Sequence, residues 1–201
     1  MGRGTFCGFF DIITGMENEQ LTAENDTRNL IDEFKGLSNE DVKSKLDQSR
    51  SGLEVAIENV EHDFNVGTIV RSANNFNVSA VHIIGRHKYN RRGAMCTDKY
   101  LTVKYWASAE EFLTDQRERG RVVVAIENNT PRARALGTAE LSEKTTLVFG
   151  SEGNGITAEL LEAADEVRFI ESFGSTRSVN VGVAAGIAMY EWTRQNIIHK
   201  K

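Results

Sequence analysis

Proline and cysteine are scarce in this chain: Pro131 is the only proline, and Cys7 and Cys96 the only cysteines, in 201 residues. Two thiols so far apart have no metal-ligand spacing and form no disulfide framework, so no metal is expected. Long hydrophobic runs are missing too, and nothing approaches the roughly 18 apolar residues that a membrane helix needs. Near the start, Arg3 is the one cation and Asp11 interrupts the apolar stretch, which argues against a secretory signal. A cytoplasmic protein with no membrane partner is therefore the expectation. Basic charge is also in deficit, with 24 Lys and Arg against 29 Asp and Glu and a net charge of −5. That balance excludes the diffuse basic surface of a nonspecific nucleic-acid binder, so any contact with RNA or DNA must come from a local patch.

What is present is the composition of a globular protein, 40% hydrophobic and 26% charged. The length suits one domain with an extension. Residues 1–20 show no period and read as an arm, within which Met16 is an alternative start. Over 22–48 the pattern is helical, with Leu30, Ile31 and Phe34 as one stripe, Val42 and Leu46 as another, and Ser38 with Asp41 spaced as a capping box. Residues 49–52 read as a linker, giving an N-terminal arm and helical extension over 1–52 and a main domain over 53–201.

After Gly52 short apolar strands alternate with helical stretches, the signature of an α/β fold with a parallel sheet flanked by helices. Strands are expected over 53–60, 80–85, 100–106, 121–127, 145–149 and 166–170, and helices over 66–76, 109–119, 158–164 and 181–198. Ser108 with Glu111 is a second capping box.

Three constellations carry chemistry. Asn65-Val-Gly-Thr-Ile-Val-Arg71 reads as the N-cap and buried stripe of an amphipathic helix, or as a strand-to-helix corner presenting an amide and a guanidinium to a polyanion. Phe149-Gly150-Ser-Glu152-Gly153-Asn-Gly155-Ile156 packs three glycines into six residues, which lets a ligand lie against bare backbone. It lacks the Gly-Lys-Ser/Thr of a P-loop and the spacing of a dinucleotide fingerprint, and a tight turn without ligand is its plain alternative. Ser178-Val179-Asn180 opens a helix rich in Gly and Ala, where either polar residue serves as a cap. Trp192 and Ile197 extend that helix's apolar surface for a core or for a dimer. A weaker fourth feature is the basic run Arg86, Lys88, Arg91, Arg92, Lys99 and Lys104 against Asp98 alone; it reads as a solvated loop or as a phosphate-tracking patch. Arg132 and Arg134 add to the second reading.

Taken together, the order and spacing of these constellations over about residues 53–198 resemble the TrmH (SpoU) family of the SPOUT superfamily, RNA methyltransferases that use S-adenosyl-L-methionine. Asn65 and Arg71 match the family's first motif, Gly150, Glu152, Gly153, Gly155 and Ile156 its second, and Ser178, Asn180, Val181 and the Ala-Ala-Gly-Ile ending at Ile187 its third. The resemblance implies a C-terminal trefoil knot, a homodimer, and methylation of a ribose 2'-hydroxyl in tRNA or rRNA. By the same resemblance the methyl donor lies at Phe149, Gly150, Gly153, Gly155, Ile170 and Val179, and the catalytic set is Asn65, Arg71, Glu152, Ser178 and Asn180. Arg86, Lys88, Arg91 and Arg92 are then the expected RNA contacts. Two departures stand out: Glu171 follows Ile170 where the family often has proline, and Gly182 stands where it has serine. The rival readings are a noncatalytic RNA-binding member of the same fold and a phosphate-binding nucleotide-binding α/β protein; the missing lysine disfavours the second.

Overall fold

Val, Ile and Thr crowd the segments 54–58, 80–84, 122–126 and 145–149, and β-branched side chains of this kind favour extended backbone. The computed structural model describes residues 21–58, 63–85, 91–151 and 153–200, with backbone alone for Asp63, Phe64, Arg91 and Arg92. Each of those segments is a strand: β1 (Glu54–Glu58), β2 (Ala80–Ile84), β4 (Val122–Ile126) and β6 (Thr145–Phe149). With β3 (Val103–Trp106), β5 (Arg134–Ala135) and β7 (Glu166–Phe169) they form a seven-stranded sheet in the order β3-β2-β1-β6-β4-β7-β5. Every pairing is parallel. β1, β2 and β6 are buried along their whole length, as parallel strands covered on both faces must be.

Successive side chains point to opposite faces, so each strand feeds two cores. Val55, Ile57, Leu147 and Phe149 pack with Ile69, Val70, Met189 and Trp192 from helices α2 (Asp63–Asn75) and α5 (Val181–Thr193). On the other face Ala56 and Val148 pack with Phe112, Leu113 and Leu160 from α3 (Ala109–Glu118) and α4 (Ala158–Ala163). Trp192 is core: it is 1% exposed and its Nε1 donates to the Ser142 carbonyl at 2.8 Å. The last two long strands enter the sheet between strands already laid down, β6 between β1 and β4, and β7 between β4 and β5. This ordering puts the loops after β6, β4 and β7 side by side at the C-terminal edge, where ligands of open α/β sheets bind.

Several expectations need correcting. Of the two helical stripes within 22–48, which Gly36 to Asn39 separates, the second forms as α1 (Asn39–Asp47) but the first is only a 3-10 turn (Asp32–Phe34). Asp26 takes over the first half, accepting from Arg28 Nε at 2.9 Å and Gly36 N at 2.9 Å, and Ile31 is left 64% exposed. The Ser38 cap holds, with Asp41 N donating to Ser38 Oγ at 3.1 Å. The third strand starts at Val103 rather than at residue 100, because Thr97–Tyr100 is a 3-10 turn entered through Cys96 at φ 64°. The last helix changes to a π turn over Arg194–Ile198. Among the described residues no helix is long and apolar enough to cross a membrane, and no His/Cys/Asp/Glu group has metal-binding geometry.

The opposite, N-terminal edge of the sheet is held by charge. Glu54, 2% exposed, accepts from Arg119 Nη1 at 3.0 Å, pairs with Arg121 Nε at 3.2 Å and meets His82 Nε2 at 2.8 Å. Since His82 Nδ1 accepts from Trp106 Nε1 at 2.9 Å, the neutral ring carries its proton on Nε2 and donates to Glu54. Burial pushes the Glu54 carboxyl up, but hydrogen bonds from His82 and Arg119 and the charge of Arg121 outweigh it and hold the group at about 2, below its ordinary 4.5. A folded value below the unfolded one means the stabilisation is complete above about pH 4.5 and is lost as pH falls toward 2. The linkage is worth about 3 kcal/mol. Urea unfolding at neutral and acid pH should show wild type losing most of that difference on acidification, and Glu54→Gln losing much less; equal losses would refute the assignment.

Candidate functional site

The three adjacent loops enclose a cleft of about 550 Å³. Phe149, Gly150, Gly153 and Gly155 line it from the loop after β6, Ile170, Ser178, Val179 and Asn180 from the segment between β7 and α5, and Glu127 to Asn129 from the loop after β4. The expected methyl-donor residues are thus brought together, with Ser178 and Asn180 beside them. Glu152 lies outside the described residues.

Why the first loop needs glycine is a matter of backbone packing on backbone. A Cβ on Gly150 would stand 2.1 Å from the Gly155 carbonyl carbon and 2.4 Å from Ile156 N. The turn closes on itself through Gly155 N donating to Ser151 O at 2.9 Å and Ser151 N donating to Gly155 O at 3.1 Å. Gly155 adopts φ +68°, a left-handed conformation that costs glycine little.

Two carboxylates from the neighbouring strands pin this loop, and neither was singled out from the sequence. Glu127, following β4, accepts from Ile156 N at 3.2 Å and Asn128 N at 2.9 Å. Glu58, at the end of β1 and 6% exposed, accepts from Thr157 N at 2.8 Å and Thr157 Oγ1 at 2.6 Å. Thr157 precedes α4 without a side-chain cap of its own, so Glu58 supplies the missing acceptor at that helix start. The available signal was an acid directly after an apolar strand at the C-terminal edge of a parallel sheet.

The third motif is tied to the first through amides. Asn180 caps α5, its Oδ1 accepting from Gly182 N at 2.9 Å and Val183 N at 3.3 Å, while its Nδ2 donates to Asn65 Oδ1 at 2.9 Å. Asn65 is accordingly no N-cap: α2 begins at Asp63, and Asn65 sits in its first turn facing α5. Gly182 has a packing reason, because a Cβ there would lie 3.1 Å from Thr68 Cγ2 on α2. Arg71 does not line the cleft. It lies on α2 six residues past Asn65, about 9 Å along the axis, exposed and without a hydrogen-bond or ion-pair partner among the described residues.

This geometry matches a sequence comparison: the profile of the SpoU rRNA methylase family covers residues 52–190. The chain belongs to that family. Similar relatives include the tRNA (guanosine(18)-2'-O)-methyltransferases of Borreliella burgdorferi, 26% identical over 74% of this chain and 69% of that one, and of Thermus thermophilus, 27% identical over 78% and 81%. Among solved structures, the Aquifex aeolicus TrmH/SpoU tRNA modifying enzyme superposes with TM-score 0.71 at 25% identity, covering 81% of this chain and 84% of that one. An AdoMet-bound rRNA methyltransferase from Sinorhizobium meliloti gives 0.66 at 26% identity, and the match spans 74% of this chain but only 59% of that one.

Within the SpoU pattern the departures now have positions. The loop from Glu171 to Asn180 is exposed throughout, and its one cation, Arg177, lines the cleft with its carbonyl accepting from Asn128 Nδ2 at 2.6 Å. Of the expected RNA contacts, Arg86 and Lys88 lie outside the described residues. Arg91 and Arg92 open a 3-10 turn (Arg91–Ala94) that sits on α2: a Cβ on Gly67 would stand 2.6 Å from Gly93 backbone. The turn bearing those two cations is therefore fixed to the helix bearing Arg71.

Proposed function

We propose that this chain transfers a methyl group from S-adenosyl-L-methionine to a ribose 2'-hydroxyl of tRNA or rRNA, working in the cytoplasm as a homodimer whose C-terminal half is knotted. One observation carries this reading most: a glycine-bearing cleft at the C-terminal edge of the sheet is joined, through Asn180 and Asn65, to the helix that carries Arg71, a guanidinium without a partner among the described residues. The RNA substrate class follows that of the tRNA and rRNA methyltransferases named above. The family match starts at residue 52, which supports dividing the chain into an extension over 1–52 and a methyltransferase domain over 53–201. Insertion of β6 and β7 between strands already placed supports the knot.

The residues fit a methyl donor. The cleft is polar at its glycine turn and apolar at Phe149, Ile170 and Val179, and the close approach of Gly150 to Gly155 leaves peptide groups as the part of the wall that the turn supplies. S-adenosylmethionine supplies a sulfonium-bound methyl group open to direct displacement. The protein must align the ribose oxygen and help it lose a proton. Arginine stays protonated, so Arg71 clamps a substrate phosphate and stabilises the developing alkoxide, and the phosphate or another acceptor takes the proton. Asn65 and Asn180 fix α2 relative to the cleft, Ser178 lines that cleft, and Glu152 belongs to the catalytic set by its match to the family's second motif. Arg86, Lys88, Arg91 and Arg92 supply RNA contacts, the last two from the turn that packs on α2.

The homodimer rests on α5. Val183, Ile187 and Tyr190 are 52%, 39% and 54% exposed and share one face at helical spacing, and a Cβ on Gly186 would meet nothing within 4 Å. A second copy can pack closely there. Sedimentation should give a dimer for wild type and a monomer for Val183→Glu combined with Tyr190→Glu; a monomeric wild type would rule the dimer out. Calorimetry tests the ligand: S-adenosylhomocysteine should bind and ATP should not, and Glu127→Ala should weaken the former about 10-fold by releasing Ile156. Binding of ATP alone would overturn the reading.

A further inference from the structure

Beyond the glycine-lined cleft, a second pocket of about 430 Å³ opens at the edge of the sheet, lined by Arg132, Arg134, Asp165, Glu166 and Arg168 among others. The register of the last strand pair sets Arg134 of β5 directly opposite Arg168 of β7. Like charges facing each other across a sheet repel unless an anion separates them. The protein supplies only part of that anion. Glu166 Oε2 accepts from Arg168 Nε at 2.9 Å and Nη2 at 2.5 Å. Arg168 is 4% exposed, and its Nη1 is a buried donor with no partner among the described residues. Asp165 is committed elsewhere, its Oδ2 accepting from Val123 N at 2.8 Å. Arg132 turns one edge toward the end of α4, with Nη2 donating to the Ala164 carbonyl at 3.1 Å. Arg134 is exposed and has no ion-pair partner among the described residues.

Three guanidiniums against two carboxylates leave one net positive charge, which matches a monoanionic phosphodiester better than a dianion. Guanidinium edges also hold phosphate oxygens by paired N–H donors. The location is apt: Phe169 and Ile170 of the first cleft follow Arg168 directly, and the chain runs from Glu127 to Asn129 in that cleft to Arg132 and Arg134 in this one. We propose that this pocket seats one backbone phosphate of the RNA substrate next to the methyl-transfer cleft. The inference rests on the RNA methyltransferase reading above.

Inorganic phosphate shares the same chemistry, so the test separates the two sources. Anisotropy titrations of labelled bulk tRNA and rRNA fragments, from about 50 to about 200 mM salt, compare wild type with Arg134→Gln and Arg168→Lys. Arg134→Gln should weaken RNA binding several-fold, lower the slope of log affinity against log salt by about 0.7, and leave S-adenosylhomocysteine affinity unchanged. Arg168→Lys should weaken RNA binding as well; if it lowers thermal stability, the exposed Arg134→Gln decides alone. An unchanged affinity and slope in Arg134→Gln, with wild type binding and methylating RNA, would overturn this inference and leave the activity standing. Stabilisation by inorganic phosphate that Arg134→Gln abolishes without touching RNA binding would also overturn it, in favour of a free-anion site. A wild type that neither binds nor methylates RNA would overturn both readings.

Discussion

Arg71→Ala is expected to slow single-turnover methyl transfer by about 10²–10³-fold at saturating RNA and donor, the cost typical of removing one preorganised donor to developing negative charge. Among the described residues the side chain has no partner, and it is exposed on α2. Thermal stability and S-adenosylhomocysteine affinity should therefore match wild type. Arg71→Lys should recover only part of the rate, since a point charge cannot hold phosphate through two parallel hydrogen bonds. Rapid-quench measurement of label transfer decides the matter. Wild-type transfer by Arg71→Ala would remove Arg71 from the chemistry.

Gly150→Ala should weaken S-adenosylhomocysteine binding by about 10–100-fold and lower thermal stability. The added methyl group would enter the space of the Gly155 carbonyl group, 2.1 Å from its carbon and 2.2 Å from its oxygen. Those atoms belong to peptide backbone bridged to Ser151 and held by Glu127, so the loop cannot give way as a flexible side chain would. Overpacking of this kind costs about 1–3 kcal/mol, and here it falls on the wall of the cleft. Gly174→Ala is the control, because a Cβ there meets nothing within 4 Å. Calorimetry on the pair should separate them clearly; equal affinities would mean that the glycine turn is no part of the donor site.

The strands of the main domain were legible because runs such as Val122-Val-Val-Ala-Ile126 are both β-branched and apolar, as strands buried on two faces must be. β5 was not, since two residues, Arg134 and Ala135, have no period and exist as a strand only through pairing with β7. The helical stripe of Leu30, Ile31 and Phe34 misled for the opposite reason. A local acceptor, Asp26, gathers the backbone and arginine donors around it and leaves Ile31 in solvent. At the site, the glycine loop and the cap at Asn180 could be read from composition and spacing. The link from Asn180 to Asn65 spans 115 residues and was reachable only through resemblance to a family. Glu58 and Glu127 left only the weak signal of an acid closing an apolar strand, because each acts alone, on a loop that arrives from elsewhere in the chain. The same holds for Glu54, whose partners His82 and Arg119 lie 28 and 65 residues away.

Transfer of label from S-adenosyl-L-[methyl-³H]methionine into RNA from cells lacking the gene, followed by nuclease digestion and nucleoside analysis, tests the central claim most directly. The account predicts radioactivity in a 2'-O-methylated nucleoside, with the signal lost in Arg71→Ala. Label on a base, or no label in RNA from a protein that binds S-adenosylhomocysteine, would contradict it.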